Sequence, residues 1–156
     1  MKIKEFTKEN IIENFDKVEG FIKHNNMHIE SIEDNKVILY AKVNKKSLNP
    51  FDIVHGGLIF GLADTAMGTL CILNGRKGVT IDTNISYLRP CKGNIIRCIA
   101  TPIKEGLTIG VYKAEIYNSN NELAAVITAN FMYINKWCKQ KEKNNYKLFN
   151  CFFYIV

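Results

Sequence analysis

The stretch NPFDIVHGGLIFGLADTAMGTLCILNG, Asn49 to Gly75, decides the fold. From Gly56 to Leu73 it is apolar apart from two threonines and one charged residue, Asp64. A carboxylate removed from water must find a partner, change its pKa or serve a chemical purpose. The stretch opens with His55-Gly56-Gly57, and a Gly-Gly pair at a helix start lets backbone N–H groups face a ligand oxygen at the positive end of the helix dipole. An oxyanion site and a buried acid in one segment point to chemistry on a carbonyl compound. The run approaches transmembrane length, but its glycines, Asp64 and Thr65 and Thr69 favour a helix wrapped by a sheet over a membrane span.

Outward from that helix the pattern changes period. Towards the C-terminus, VTIDTNISYLRP (79–90) alternates as a strand, with Val79, Ile81, Ile85 and Tyr87 on one face and Thr80, Asp82, Asn84 and Ser86 on the other. Further strands are predicted at 94–103, 107–117 and 122–135, the last the most continuously apolar and so central in the sheet. Lys104-Glu105-Gly106 and Asn118–Asn121 are the turns between them. Towards the N-terminus, 35–44 alternates Val37, Leu39, Ala41 and Val43 as a strand, and Pro50 sits in the loop that follows. Residues 8–24 carry Ile11, Ile12, Phe15, Val18, Phe21 and Ile22 at helical spacing, which predicts one amphipathic helix. An apolar helix followed by antiparallel strands can bury itself on nearly every side if a strongly curved sheet wraps round it, an α+β architecture. The chain therefore divides into a lead-in over 1–29, one domain over 30–135 and a tail over 136–156, basic at first and ending in the apolar LFNCFFYIV.

The bulk properties narrow the function. With 156 residues, 47% of them hydrophobic, the chain has room for one well-buried domain. A net charge of +6 suits an anionic small molecule or a nucleic acid, but the basic residues are scattered and no nucleic-acid-binding motif is present. Five cysteines without a C-x-x-C pair, and a start (MKIKEFTKEN) without an apolar signal core, favour a reduced, cytoplasmic protein. His24 and His28 are four apart, but the intervening asparagines and the lack of a third ligand argue against a metal; no metal and no cofactor are expected.

Asn49, His55-Gly56-Gly57, Leu62-Ala63-Asp64 and the strand VTIDTNISYLRP together resemble the hotdog-fold acyl-CoA thioesterases, in particular the phenylacetyl-CoA thioesterase-like branch. The nine-residue step from His55 to Asp64, the six-residue step from Asn49 to His55 and the Tyr-x-Arg-Pro strand end all agree with that family, over roughly residues 30–135. The resemblance implies that Asp64 is the catalytic carboxylate, general base or nucleophile, and that the Gly56 N–H polarises the thioester carbonyl. It implies that Asn49 positions the thioester or the water, that Thr80 orients the water, and that His55 shapes the loop. Acyl-CoA esters would be the substrates. Gly57 is placed at the substrate. Relatives commonly carry a basic residue after the glycine of the third-strand turn, where this chain has Leu107, so phosphate contacts fall to Arg89, Lys92 or Lys104.

Helix geometry adds a constraint of its own. Gly56 and Asp64 are separated by about 12 Å along a helix, whereas a reacting carbonyl needs its donor and its attacking group each within roughly 3 Å. Two subunits related by a two-fold axis can satisfy both, so a homodimer, or a tetramer made of two such dimers, is expected with shared sites. Each residue also has a plain structural role open to it: Asp64 held by Thr65 or a strand threonine, the glycines in close packing, Thr80 on the solvent side of a strand, Asn49 in an Asx turn. A non-catalytic acyl-CoA sensor on the same fold is the alternative function, and it has no need of an acid in an apolar helix. Acyl-thioester hydration or dehydration uses a different His/Asp or His/Glu arrangement.

Overall fold

The computed structural model describes residues 7–134. Two short helices, α1 (Lys8–Phe15) and α2 (Phe21–His24), precede strands β1 (Met27–Glu33) and β2 (Lys36–Lys42). The long helix α3 (Gly56–Leu73) follows, and then β3 (Gly78–Tyr87), β4 (Ile95–Glu105), β5 (Ile109–Tyr117) and β6 (Leu123–Tyr133). The six strands form one sheet in the order β1-β2-β4-β5-β6-β3, antiparallel throughout. That sheet curves round α3, the expected α+β hotdog architecture. Fourteen of the helix's 18 residues are buried, so a segment apolar enough to cross a membrane is instead the core of the fold.

The helix is buried on nearly every side because Leu58, Leu62, Ala66, Met67 and Leu70 meet strand residues Leu39, Ile96, Ala114, Ile116, Ile127 and Phe131 in one apolar cluster. Thr65 and Thr69 sit in this core with their hydroxyls satisfied: each donates to the carbonyl one turn earlier, on Gly61 at 2.7 Å and Thr65 at 2.8 Å. Cys71, Cys91 and Cys98 are buried free thiols.

Three predictions about local structure are corrected. Residues 8–24 are two helices rather than one, because Gly20 adopts φ +87° and breaks the run between Phe15 and Phe21. The Phe21 ring then closes over α3 at Gly61, where any Cβ would lie 2.6 Å from the ring. Strand β1 adds an element that the sequence pattern does not predict, since a register shift between Ile29 and Ser31 breaks the two-residue period. The third correction concerns β3, where the predicted alternation fails at a bulge between Thr80 and Asp82. Thr80, Thr83, Ile85 and Tyr87 pair with Phe131, Ala129, Ile127 and Ala125, the buried side of β6. Thr80 therefore shares the helix-facing side with Ile85 and Tyr87 rather than with Asp82 and Asn84, and Ile81 is turned outward, 50% exposed. Strand β6 is interior, between β5 and β3. The expectations for the 136–156 tail lie outside the described residues.

Candidate active site

The site is built along α3 by the strand that runs back beside it. Asp64 lies in mid-helix and is 9% exposed. Unlike the helix threonines, its side chain is held from another element: the Thr80 hydroxyl of β3 donates to Asp64 Oδ1 at 2.6 Å. Burial pushes the Asp64 carboxyl above its usual range, and the Thr80 hydrogen bond draws it partly back. Among the described residues no buried side-chain oxygen or nitrogen lacks a partner. Asp64 Oδ2 takes no hydrogen bond from the described residues, so it is the oxygen that reaches the surface. One oxygen is held and the other is presented.

The N-terminus of α3 is assembled by its cap. His55 takes an extended conformation (φ −61°, ψ 134°), and its Nδ1 accepts the Gly57 N–H at 2.8 Å. The His55 carbonyl accepts from Leu58 at 3.0 Å and from Ile59 at 3.3 Å. Of the first-turn amides, that leaves the Gly56 N–H without a partner among the described residues. Of the two open amides expected from Gly56-Gly57, one is therefore occupied. Gly57 instead makes room for the cap, since a Cβ there would lie 3.0 Å from His55 Nδ1. That nitrogen's lone pair is taken by the Gly57 amide, so it is not free to abstract a proton. The His55 N–H donates to the Ser47 carbonyl at 2.8 Å, which ties the cap to the preceding loop.

Asn49 makes the Asx turn that its position before Pro50 allows. Its Oδ1 accepts from the Phe51 amide at 2.9 Å and the Ile53 amide at 3.4 Å, and its Nδ2 donors take no partner among the described residues. The three cations divide. Arg89 and Lys92 follow β3 at the end of the sheet where Val54 N–H donates to the Cys91 carbonyl, next to the α3 N-terminus. Arg89 is paired with Glu122 at 3.2 Å. Lys104 is at the other end of the sheet, beside Glu105, which binds the helix C-cap residue Asn74. On one chain these three do not form a common patch.

Tyr87, which enters the sequence reading only as a strand residue and as part of the Tyr-x-Arg-Pro strand end, is not among the site residues it predicts. Its hydroxyl donates to the Gly56 carbonyl at 3.0 Å. In a regular strand an odd spacing from Thr80 puts the two on opposite faces, so nothing in the alternation marks Tyr87 as a neighbour of the site.

The chain is similar to known proteins in sequence and in fold. A family model for the thioesterase superfamily matches residues 51–125, which include α3 and β3. The chain is 34% identical to human acyl-coenzyme A thioesterase 13 over 108 residues, 67% of this chain and 74% of that protein. The solved structure of the Escherichia coli PaaI protein, from the phenylacetic acid degradation operon, superposes with a TM-score of 0.75 at 25% identity, covering 81% of this chain and 93% of that one. A Streptococcus mutans protein bound to acetyl CoA superposes with a TM-score of 0.69 at 28% identity, covering 76% and 94%. Fold and similarity define the class as a thioester hydrolase with the hotdog fold. The chain belongs to the thioesterase superfamily.

Proposed function

We propose that the protein hydrolyses an acyl-CoA or aryl-acyl-CoA thioester to the free acid and coenzyme A. The observation that carries this reading is Asp64, a carboxylate in the core helix with one oxygen held by Thr80 at 2.6 Å and its pKa raised by burial. A raised pKa makes a carboxylate a better base at neutral pH. As general base, Asp64 Oδ2 takes a proton from water, whose oxygen bonds to the thioester carbon. The carbonyl oxygen gathers charge against the Gly56 N–H, and the C–S bond then breaks to release the coenzyme A thiolate, which is protonated on leaving. As nucleophile, Asp64 bonds to the thioester carbon and expels the coenzyme A thiolate, and water then opens the resulting acyl anhydride to the free acid and the Asp64 carboxylate. The Asn49 Nδ2 donors are suited to hold the thioester or the water. Named relatives that are acyl-CoA thioesterases, and a similar structure holding acetyl CoA, support this substrate class.

The site is shared between two copies of the chain. Along α3 the Gly56 amide and Asp64 are about 12 Å apart, too far to meet one carbonyl, so Gly56 and Asn49 come from one subunit and Asp64 and Thr80 from the other. A second copy is also favoured by β3, an edge strand whose Ile81, Tyr87 and neighbouring Leu88 are about half exposed. In such an assembly Lys104 of one subunit can join Arg89 and Lys92 of the other near the nucleotide phosphates. The test is a panel of acyl-CoA and aryl-acyl-CoA thioesters assayed by release of free thiol. Turnover of at least one ester, lost in Asp64→Asn, is expected; binding without turnover across the panel would instead describe a sensor.

A further inference from the structure

We propose that Tyr87 is a positioning residue of the active site, holding the Gly56 peptide in place from the same strand that holds the acid. The inference rests on the reading of the Gly56 N–H as the donor to the thioester carbonyl.

A helix that opens with two glycines has a poorly restrained first turn, because glycine offers neither a side chain to pack nor a restricted backbone. A donor placed there needs outside support, and three contacts give it. The His55 N–H is tied to the Ser47 carbonyl at 2.8 Å, the Gly57 N–H to the His55 ring at 2.8 Å, and the Gly56 carbonyl to the Tyr87 hydroxyl at 3.0 Å. The first two act within one loop. Of these three, only the Tyr87 contact comes from the sheet. Its hydroxyl lies so close that a Cβ on Gly56 would be 2.9 Å away.

The bulge at Ile81 makes this arrangement possible. Thr80 and Tyr87 are seven residues apart and would face opposite ways on a regular strand. The extra residue restores the parity, so one strand offers one hydroxyl to Asp64 and another to Gly56. Strand β3 thus sets the acid and the donor of each subunit relative to the same rigid element, which is what two sites shared between copies require.

The experiment is Tyr87→Phe, which removes only the hydroxyl, followed by a cycle with Gly56→Ala. Tyr87→Phe is expected to lower kcat by about 5–20-fold, as for a carbonyl donor displaced rather than removed. KM should stay within about twofold, and the acid limb of the pH profile should not move, since the Asp64–Thr80 pair is untouched. Gly56→Ala pushes against the same hydroxyl, so the double variant should lose less than the product of the two single losses. Unchanged kcat, or strictly multiplicative losses, would overturn the inference. So would a loss seen mainly in KM and thermal stability. The backbone amide of Gly57, which shares its peptide with the Gly56 carbonyl, gives a readout that needs no turnover. Its NMR resonance should shift in Tyr87→Phe; an unchanged resonance overturns the inference even if no thioester is hydrolysed. An inactive wild-type protein with a shifted resonance would count against the proposed function alone.

Discussion

At its two ends the central helix is finished in opposite ways. Near the C-terminus of α3 the polar groups close on one another: the Asn74 side-chain amide and the Tyr112 hydroxyl both donate to Glu105 Oε1, at 3.0 and 2.7 Å, and the Tyr112 and Tyr133 hydroxyls meet at 3.0 Å. Arg76 lies over the Tyr133 ring, 5.1 Å from its centre. From the N-terminus to mid-helix the groups are held on one side and left open on the other: Asp64 by one oxygen only, Gly56 by its carbonyl but not by its N–H. A closed network stabilises; a half-satisfied one is available for chemistry. The contrast separates structural from chemical polarity within a single helix, and each end predicts a different phenotype.

The largest effect is expected in the open half of the helix. Asp64→Asn should keep the fold and lower kcat by about 10²–10⁴, as for the loss of a base or nucleophile. It should also stabilise the protein at neutral pH. Because the folded-state pKa of Asp64 is raised, the native protein holds that proton more tightly than the unfolded chain does. Stability contributed by this residue is therefore greatest at acid pH and falls as pH rises through the raised pKa. Thermal melts of both proteins against pH should show the variant's advantage at neutral pH shrinking on acidification; an advantage that grows towards acid would contradict the burial argument.

A smaller change is predicted for Thr80→Val. The Thr80 hydroxyl favours the charged form of Asp64, so its loss should carry the acid limb of the rate profile to higher pH and lower kcat by about 10-fold near neutrality. A limb that moves towards acid would show that the hydroxyl serves the carboxylate in some other way. At the closed end, Tyr112→Phe removes a buried hydroxyl and should cost about 1–2 kcal/mol, lowering Tm by about 2–8 °C, with kcat within twofold of wild type. A strong loss of activity there would dissolve the distinction between the two ends.

Much of this was legible in the sequence because hydrophobic period and glycine placement are local signals. The apolar run from Gly56 to Leu73 and the even alternation of β2 each reveal an element without reference to anything distant. What stayed hidden was hidden by single-residue irregularities. The shift near Glu30 concealed β1, and the Ile81 bulge reversed the facing of Thr80 relative to Ile85 and Tyr87. Alternation cannot announce such a residue, since a bulge is defined by the partner strand. Asp64 could be picked out as anomalous from its neighbours, whereas Tyr87 acquires its contact only when β3 folds back along α3.

The central claim is that one carbonyl is met by Gly56 of one subunit and Asp64 of its partner, and subunit mixing tests it most directly. Gly56→Pro removes the donor N–H at the first helical position, where the proline backbone fits, after a His55 whose ψ of 134° suits a following proline. Its Cβ also displaces the Tyr87 hydroxyl of the same subunit, a further lesion to the same Gly56 group. That homodimer should lose about 10²–10³ in kcat, and Asp64→Asn should be similarly inactive. When the two are mixed after mild denaturation, each heterodimer gathers both lesions in one site and none in the other. Recovery of up to half of wild-type activity per heterodimer is the predicted result. No recovery, with heterodimers confirmed by native mass measurement, would mean that each site draws both groups from one chain.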